Sequence, residues 1–188
     1  MEKGILFVVS APSGCGKGTI LGEVLKDPRF YYSVSATTRA PRPGEENGVH
    51  YFFKSREEFE SLIAEGAFLE HATYCDNYYG TLSAPIEENL NAGRHVILEI
   101  EVQGAMQVRE RRPDAVFIFI APPSIEVLRE RLVNRGTETL DVIEKRVSEA
   151  ETELGYAGQY DYTVINDVLD EAVADFRTII RAEECRNR

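Results

Sequence analysis

What the chain has little of narrows it first. Only three cysteines occur among its 188 residues, Cys15, Cys75 and Cys185. They are odd in number and widely spaced, so neither a disulfide framework nor a metal-ligand pattern is expected, and a reducing, cytoplasmic setting is. Basic residues are in deficit, with 21 Lys and Arg against 32 Asp and Glu and a formal net charge of −11. That balance argues against a broad surface for nucleic acid or anionic membrane, while leaving room for a local basic pocket. No apolar run approaches the roughly 20 residues a membrane-spanning helix needs. Met1-Glu2-Lys3 leads directly into an apolar strand, so no signal peptide is expected. Repeats, low-complexity tracts and linkers are missing too, and a single domain with a substantial core is the expectation.

What is present centres on Ala11-Pro12-Ser13-Gly14-Cys15-Gly16-Lys17-Gly18-Thr19. The apolar run Ile5–Val9 before it reads as a buried parallel strand, and Thr19–Lys26 after it reads as a helix. Strand, glycine-rich turn and helix form the context of a phosphate-binding loop. Glycines let successive N–H groups turn inward on an anion, the helix N-terminus adds partial positive charge, and Lys17 adds a full one. Against the usual Gly-x-x-x-x-Gly-Lys-[Ser/Thr] pattern, Ala11 replaces the first glycine and Gly18 replaces the hydroxyl residue that holds magnesium, with Thr19 one place later. Gly-Lys-Gly-Thr resembles the loop of nucleoside monophosphate kinases such as adenylate kinase. Cys15 stands where a helix N-terminus can lower a thiol's pKa; a small inert filler is the preferred reading.

Along the chain, Tyr31–Thr37 reads as a second strand that runs into a proline-bounded segment, Arg39–Gly44. Val49–Phe53 reads as a short strand, and Ser55 with Glu58 has the spacing of a capping box opening a helix that Gly66 ends. Ala67–Cys75 and Tyr78–Thr81 read as strands around an Asp76-Asn77 turn. Helices follow at Pro85–Asn91, Val102–Arg111, from Ser124 through Leu132, from Leu140 through Leu154 and from Leu169 through Ile180. Strands are expected at His95–Glu101, Ala115–Ile120 and Tyr162–Ile165. This alternation predicts an α/β fold with an open parallel sheet flanked by helices, with ligands at the carboxyl ends of its strands.

Phosphoryl transfer asks for positive charge around phosphates more than for a covalent catalyst. Arg39 and Arg42, three apart in an irregular segment, can converge on one phosphate. Tyr51 and Tyr79 can add hydroxyl donors, although each alone reads as hairpin packing. Arg131 and Arg135 share a helix face beside the polar break Gly136–Thr139, and Arg146 lies on the next helix, an arrangement that suits a lid. Glu99 and Glu101 are read as two positions on one side of a strand. One could hold a magnesium-bound water and the other a base, with Glu70 a further candidate. A carboxylate matches the paired N1–H and N2–H donors of guanine, whereas adenine offers an acceptor at N1.

Taken together the motifs resemble the guanylate kinase family from about Gly4 to Glu184. They are Ser13–Lys17, Ser35–Glu45, Gly48–Phe53, Phe68-Leu69-Glu70, Tyr78–Thr81, Glu99–Gly104, Arg135–Thr139 and Val164–Asp167. The resemblance implies a P-loop NTPase-type core (4–34, 83–130 and 156–184), an inserted GMP-binding subdomain at about 35–82, and a helical lid at about 131–155. It implies that Ser35, Glu70, Thr81 and Glu101 read guanine, with Glu99 at the GMP site. Arg39, Arg42, Tyr51 and Tyr79 would hold the GMP phosphate. Lys17, Arg135 and Arg146, assisted by Arg131, would act on the transferring phosphoryl group. Ala11–Thr19 would bind ATP, and Asn166 would be an adenine-side contact. ATP and GMP, with dGMP as a further acceptor, would be the substrates and Mg2+ the cofactor, placed by Thr19 or by a water on Glu99. Glu101 stands where an aspartate is more usual in the family. A non-catalytic interaction domain of this family and a related kinase with another phosphorylated acceptor are the alternatives, and oligomeric state is left open.

Overall fold

The computed structural model describes residues 3–136 and 138–187. Met1, Glu2 and Arg188 lie outside the described residues, as does Thr137 within the predicted polar break. In chain order the first elements are β1 (Leu6–Ser10), α1 (Lys17–Val24), β2 (Phe30–Tyr32), β3 (Ala36–Thr37), β4 (Phe52–Phe53) and α2 (Arg56–Ala64). β5 (Phe68–Tyr74), β6 (Asn77–Leu82), α3 (Ser83–Asn91), β7 (His95–Glu99) and α4 (Val102–Arg111) follow. The last are β8 (Val116–Ala121), α5 (Ile125–Asn134), α6 (Leu140–Leu154), a short 3-10 turn, β9 (Tyr162–Ile165) and α7 (Leu169–Glu184).

Two compact units divide the chain: Met1–Val8 with Arg29–Ala115, and Val9–Pro28 with Val116–Arg188. One sheet has the order β2-β7-β1-β8-β9. Its β2·β7 and β8·β9 pairings are parallel. β1 and β8 are buried at every position. This is the near-continuous apolar pattern of strands covered on both faces, and it explains why Ile5–Val9 and Ala115–Ile120 read as they do. The chain is thus an α/β protein with a parallel sheet flanked by helices.

The first unit carries a second sheet, β4-β3-β6-β5, in which β5 and β6 form an antiparallel hairpin. Cys75 and Asp76 both take positive φ at its tip, where a tight hairpin requires it. The Ser55–Glu58 capping box is present at the start of α2, with Glu58 N–H donating to the Ser55 hydroxyl and Ser55 N–H to the Glu58 carboxylate. α2 sends Phe59 into this sheet, fully buried and stacked on Phe68 at 4.3 Å and on Tyr78 at 5.3 Å between ring centroids.

Three expected strands differ from the structure. Tyr31–Thr37 is two strands, β2 in one sheet and β3 in the other. Ser33 N–H still donates to Ile97 on β7, while the Ser35 carbonyl already accepts the N–H of Phe52 on β4. Val49–Phe53 shrinks to Phe52–Phe53, because Val49 and His50 turn back to bond the Glu46 carbonyl. His95–Glu101 ends at Glu99, and Glu101 is the N-cap of α4.

Phe59→Ala is expected to cost about 3–5 kcal/mol of stability, read from the denaturant midpoint, because the aromatic cluster cannot collapse onto the void. A loss below about 1 kcal/mol would contradict the packing described.

Candidate functional site

In the second unit, the loop between β1 and α1 depends on two glycines in the left-handed region, Gly14 at φ 94° and Gly16 at φ 79°. A Cβ at position 14 would also come within 2.9 Å of the Leu128 and Leu132 side chains on α5. Cys15 N–H closes onto the Pro12 carbonyl at 3.2 Å, and the Gly16 carbonyl accepts Thr19 and Ile20 N–H to start the helix. Ala11 is half-buried, Pro12 buried, and Lys17, the first helical residue, half-buried. Among the described residues, its chain neighbours and its own helix's backbone aside, no atom lies within 4 Å of where a Cβ at Gly18 would be, so sterics do not explain the missing hydroxyl there.

A cavity of about 460 Å³ opens on this loop, lined by Gly14, Gly16, Thr19, Arg131, Arg135 and Asn166 among others. Arg146, on α6, donates to the Ser13 hydroxyl at 3.3 Å and pairs with Glu138 at 2.6 Å. Arg131 spends its guanidinium on the carbonyls of Asn166 (2.7 Å) and Asp167 (3.2 Å). Asn166 is buried, and its side-chain amide donates to the Cys15 carbonyl at 2.7 Å. Arg135 caps α5 and is exposed. Burial pushes the Cys15 thiol up to about 12, against the opposing pull of the Arg131 and Lys17 charges. The helix N-terminus therefore does not activate this thiol, and Cys15 is a filler.

In the first unit, Glu70 on β5 is a buried carboxylate. Its Oε1 accepts the Thr81 hydroxyl at 2.6 Å, and its Oε2 lies where a Cβ on Gly104 would approach to 2.9 Å. Gly104 on α4 makes room for the carboxylate. Burial raises the Glu70 pKa above its ordinary value, the Thr81 bond opposes this, and the Glu101 charge adds to it. Glu101 is thus near Glu70, but as the exposed start of α4. The expectation that Glu99 and Glu101 share one side of a strand is wrong, because the strand stops between them. Glu99 instead accepts the Tyr32 hydroxyl at 3.0 Å. Ser35 is half-buried just before β3.

Arg39 lies over the rings of Tyr51 and Phe53, at 5.4 Å and 5.9 Å from their centroids. Its Nη2 donates to both Glu45 oxygens at 2.9 and 3.0 Å and its Nη1 to the Ala40 carbonyl. Tyr51 and Tyr79 meet edge to face at 6.1 Å. The Glu45 bond raises the Arg39 pKa, and Arg39 in turn holds Glu45 below the ordinary carboxylate range. Arg42 offers its backbone N–H to Glu45 at 2.7 Å, and its side chain is exposed. All nine residues expected to bind the acceptor therefore lie in the first unit, and the loop, Arg131, Arg135, Arg146 and Asn166 in the second.

Sequence reasoning missed the residues that hold these groups. Arg111 donates to the Phe68 and Leu69 carbonyls, where β5 slips register beside Glu70. Gln107 bonds both main-chain groups of His71. Gly104, Gln107 and Arg111 recur at helical spacing, a signal that was there to read. Glu45 and Tyr32 carried no such signal.

A family model described as Guanylate kinase matches residues 3–183. A guanylate kinase of Desulfitobacterium hafniense is 52% identical over 184 residues, covering 97% of this chain and 92% of its own. One of Halalkalibacterium halodurans is 53% identical, covering 98% and 91%. A crystal structure of guanylate kinase from Anaplasma phagocytophilum superposes with a TM-score of 0.78 at 35% identity, over 99% of this chain and 89% of that one.

The three free thiols should separate in a titration of the native protein with a disulfide reagent. Exposed Cys75 and Cys185 should react at once and buried Cys15 only on unfolding. Rapid modification of Cys15 at neutral pH would contradict its burial.

Proposed function

The chain belongs to the guanylate kinase family, and from that premise we propose how its residues divide the transfer. The activity is ATP:GMP phosphotransfer, giving ADP and GDP. An oxygen of the GMP phosphate attacks the γ-phosphorus, the bond to the β–γ bridging oxygen breaks, and ADP leaves. The acceptor is already an anion, so no protein base is needed, and the work falls to position and positive charge.

In this reading the loop Ala11–Thr19 holds the ATP phosphates, with Lys17, Arg135 and Arg146 on the transferring group and Arg131 assisting. Ser35, Glu70, Thr81 and Glu101 recognise guanine, with Glu99 at the same site, and Arg39, Arg42, Tyr51 and Tyr79 take the GMP phosphate. Residues 35–82 act as the acceptor subdomain and 131–155 as a lid, and dGMP serves as a second acceptor. Magnesium suits the hard oxygen donors available, the exposed Thr19 hydroxyl on the cavity or a water on Glu99. Bound with ATP, it would neutralise phosphate charge. The free thiols support a reducing, cytoplasmic setting.

The observation that carries the choice of acceptor is the buried Glu70 carboxylate, one oxygen bonded to Thr81 and the other given space by Gly104. Phosphate loops serve many kinases; a buried double acceptor suits a base that presents two adjacent donors. Adenine would leave it unpaired, which a buried site penalises heavily.

Glu70→Gln should narrow the preference for GMP over AMP by about 10–100-fold, the worth of a charge-assisted hydrogen bond. The pH profile gives a second reading. Burial raises the Glu70 pKa, and a protonated Glu70 cannot accept both guanine donors. In the wild type, kcat/KM for GMP should therefore fall as pH drops through that raised pKa, and Glu70→Gln should lack this limb. Ionisation of GMP itself, near pH 6, is common to both enzymes. An unaltered base preference in the variant would sink the role.

A further inference from the structure

We infer that Asn166 is a positioning residue for the phosphate loop, acting on the orientation of one peptide group. This rests on the ATP-binding role of the loop proposed above. The Asn166 side-chain amide donates to the Cys15 carbonyl at 2.7 Å across 151 residues of sequence. In a trans peptide the carbonyl oxygen and the next N–H point in opposite directions. Drawing the Cys15 oxygen toward Asn166 therefore turns the Gly16 N–H the other way. That N–H has no acceptor among the described residues and is a donor for an anion. Were the peptide to flip, a carbonyl would face the phosphates and a donor would be lost.

Asn166 is built for this task. Only 7% exposed, it is fixed at both ends of its main chain. Its N–H donates to the Ala121 carbonyl at 2.8 Å, and its carbonyl accepts Arg131 at 2.7 Å. The loop is shaped to receive it: a Cβ at Gly16 would lie 2.4 Å from the Asn166 amide nitrogen. Gly16 is thus required twice, by its positive φ and by the side chain it must admit.

The test separates phosphate from base. Inorganic tripolyphosphate, ATP, GTP and GMP are each titrated calorimetrically into the wild type and Asn166→Ala. Loss of one buried hydrogen bond should weaken tripolyphosphate and ATP alike, by about ten-fold. The affinity for GMP should not change. An unchanged tripolyphosphate affinity with a reduced preference for ATP over GTP would overturn the inference in favour of base contact. Equal weakening of all four ligands, GMP included, would overturn it in favour of a general structural role. Should Asn166→Ala fail to fold, uncharged and similarly sized Asn166→Leu, which cannot donate to the carbonyl, carries the same outcomes. A wild type that binds tripolyphosphate but neither ATP nor GMP would instead refute the proposed substrates.

Discussion

A phosphate loop works only if its peptide groups face the right way, and here that depends on left-handed backbone at Gly14 and Gly16. Any side chain at either position would be strained, and at both it would also meet an occupied space, Leu128 and Leu132 at one and Asn166 at the other. The loop is consequently fixed against its own unit before any ligand arrives. Ser13 receives Arg146, Cys15 receives Asn166, and Gly16 opens α1 with its carbonyl. A loop already oriented loses little freedom on binding, which is where preorganised sites gain affinity.

The second theme is charge held in reserve. An acidic chain must hold arginines in place where phosphate is to bind. Arg39 is held by Glu45 over Tyr51, and Arg146 by Glu138, so each is oriented by a carboxylate of its own unit. The proposed guanine site inverts this logic. Glu70 is a buried carboxylate that accepts the Thr81 hydroxyl, and burial raises its pKa above the ordinary value. Donors offered by a bound base would satisfy the oxygen that Thr81 does not.

Much of this was legible in the sequence where a local pattern carried it. The apolar run, the glycine spacing and the Ser55–Glu58 box each have one dominant local cause, and the elements they mark formed as read. α4 and α6 formed over the ranges read for them. The failures share a different cause. A strand that leaves one sheet for another, as at Ser33–Ser35, keeps its β-type residues, so composition does not mark the break. Period-two reasoning ran past Glu99 because Glu101 retains extended angles, φ −72° and ψ 161°, while serving as a helix cap. Contacts such as Asn166 to Cys15 and Arg111 to Leu69 join distant residues and leave no local trace. The candidate residues could be named; what orients them could not.

The central claim is that this chain phosphorylates guanine nucleotides because a buried carboxylate selects the base. It is tested most directly by a magnesium-dependent coupled assay with ATP as donor and GMP, dGMP, AMP and UMP as acceptors. GMP and dGMP should turn over, with AMP and UMP lower by about 10⁴-fold or more in kcat/KM. Comparable turnover of AMP or UMP, or none with GMP, would contradict it.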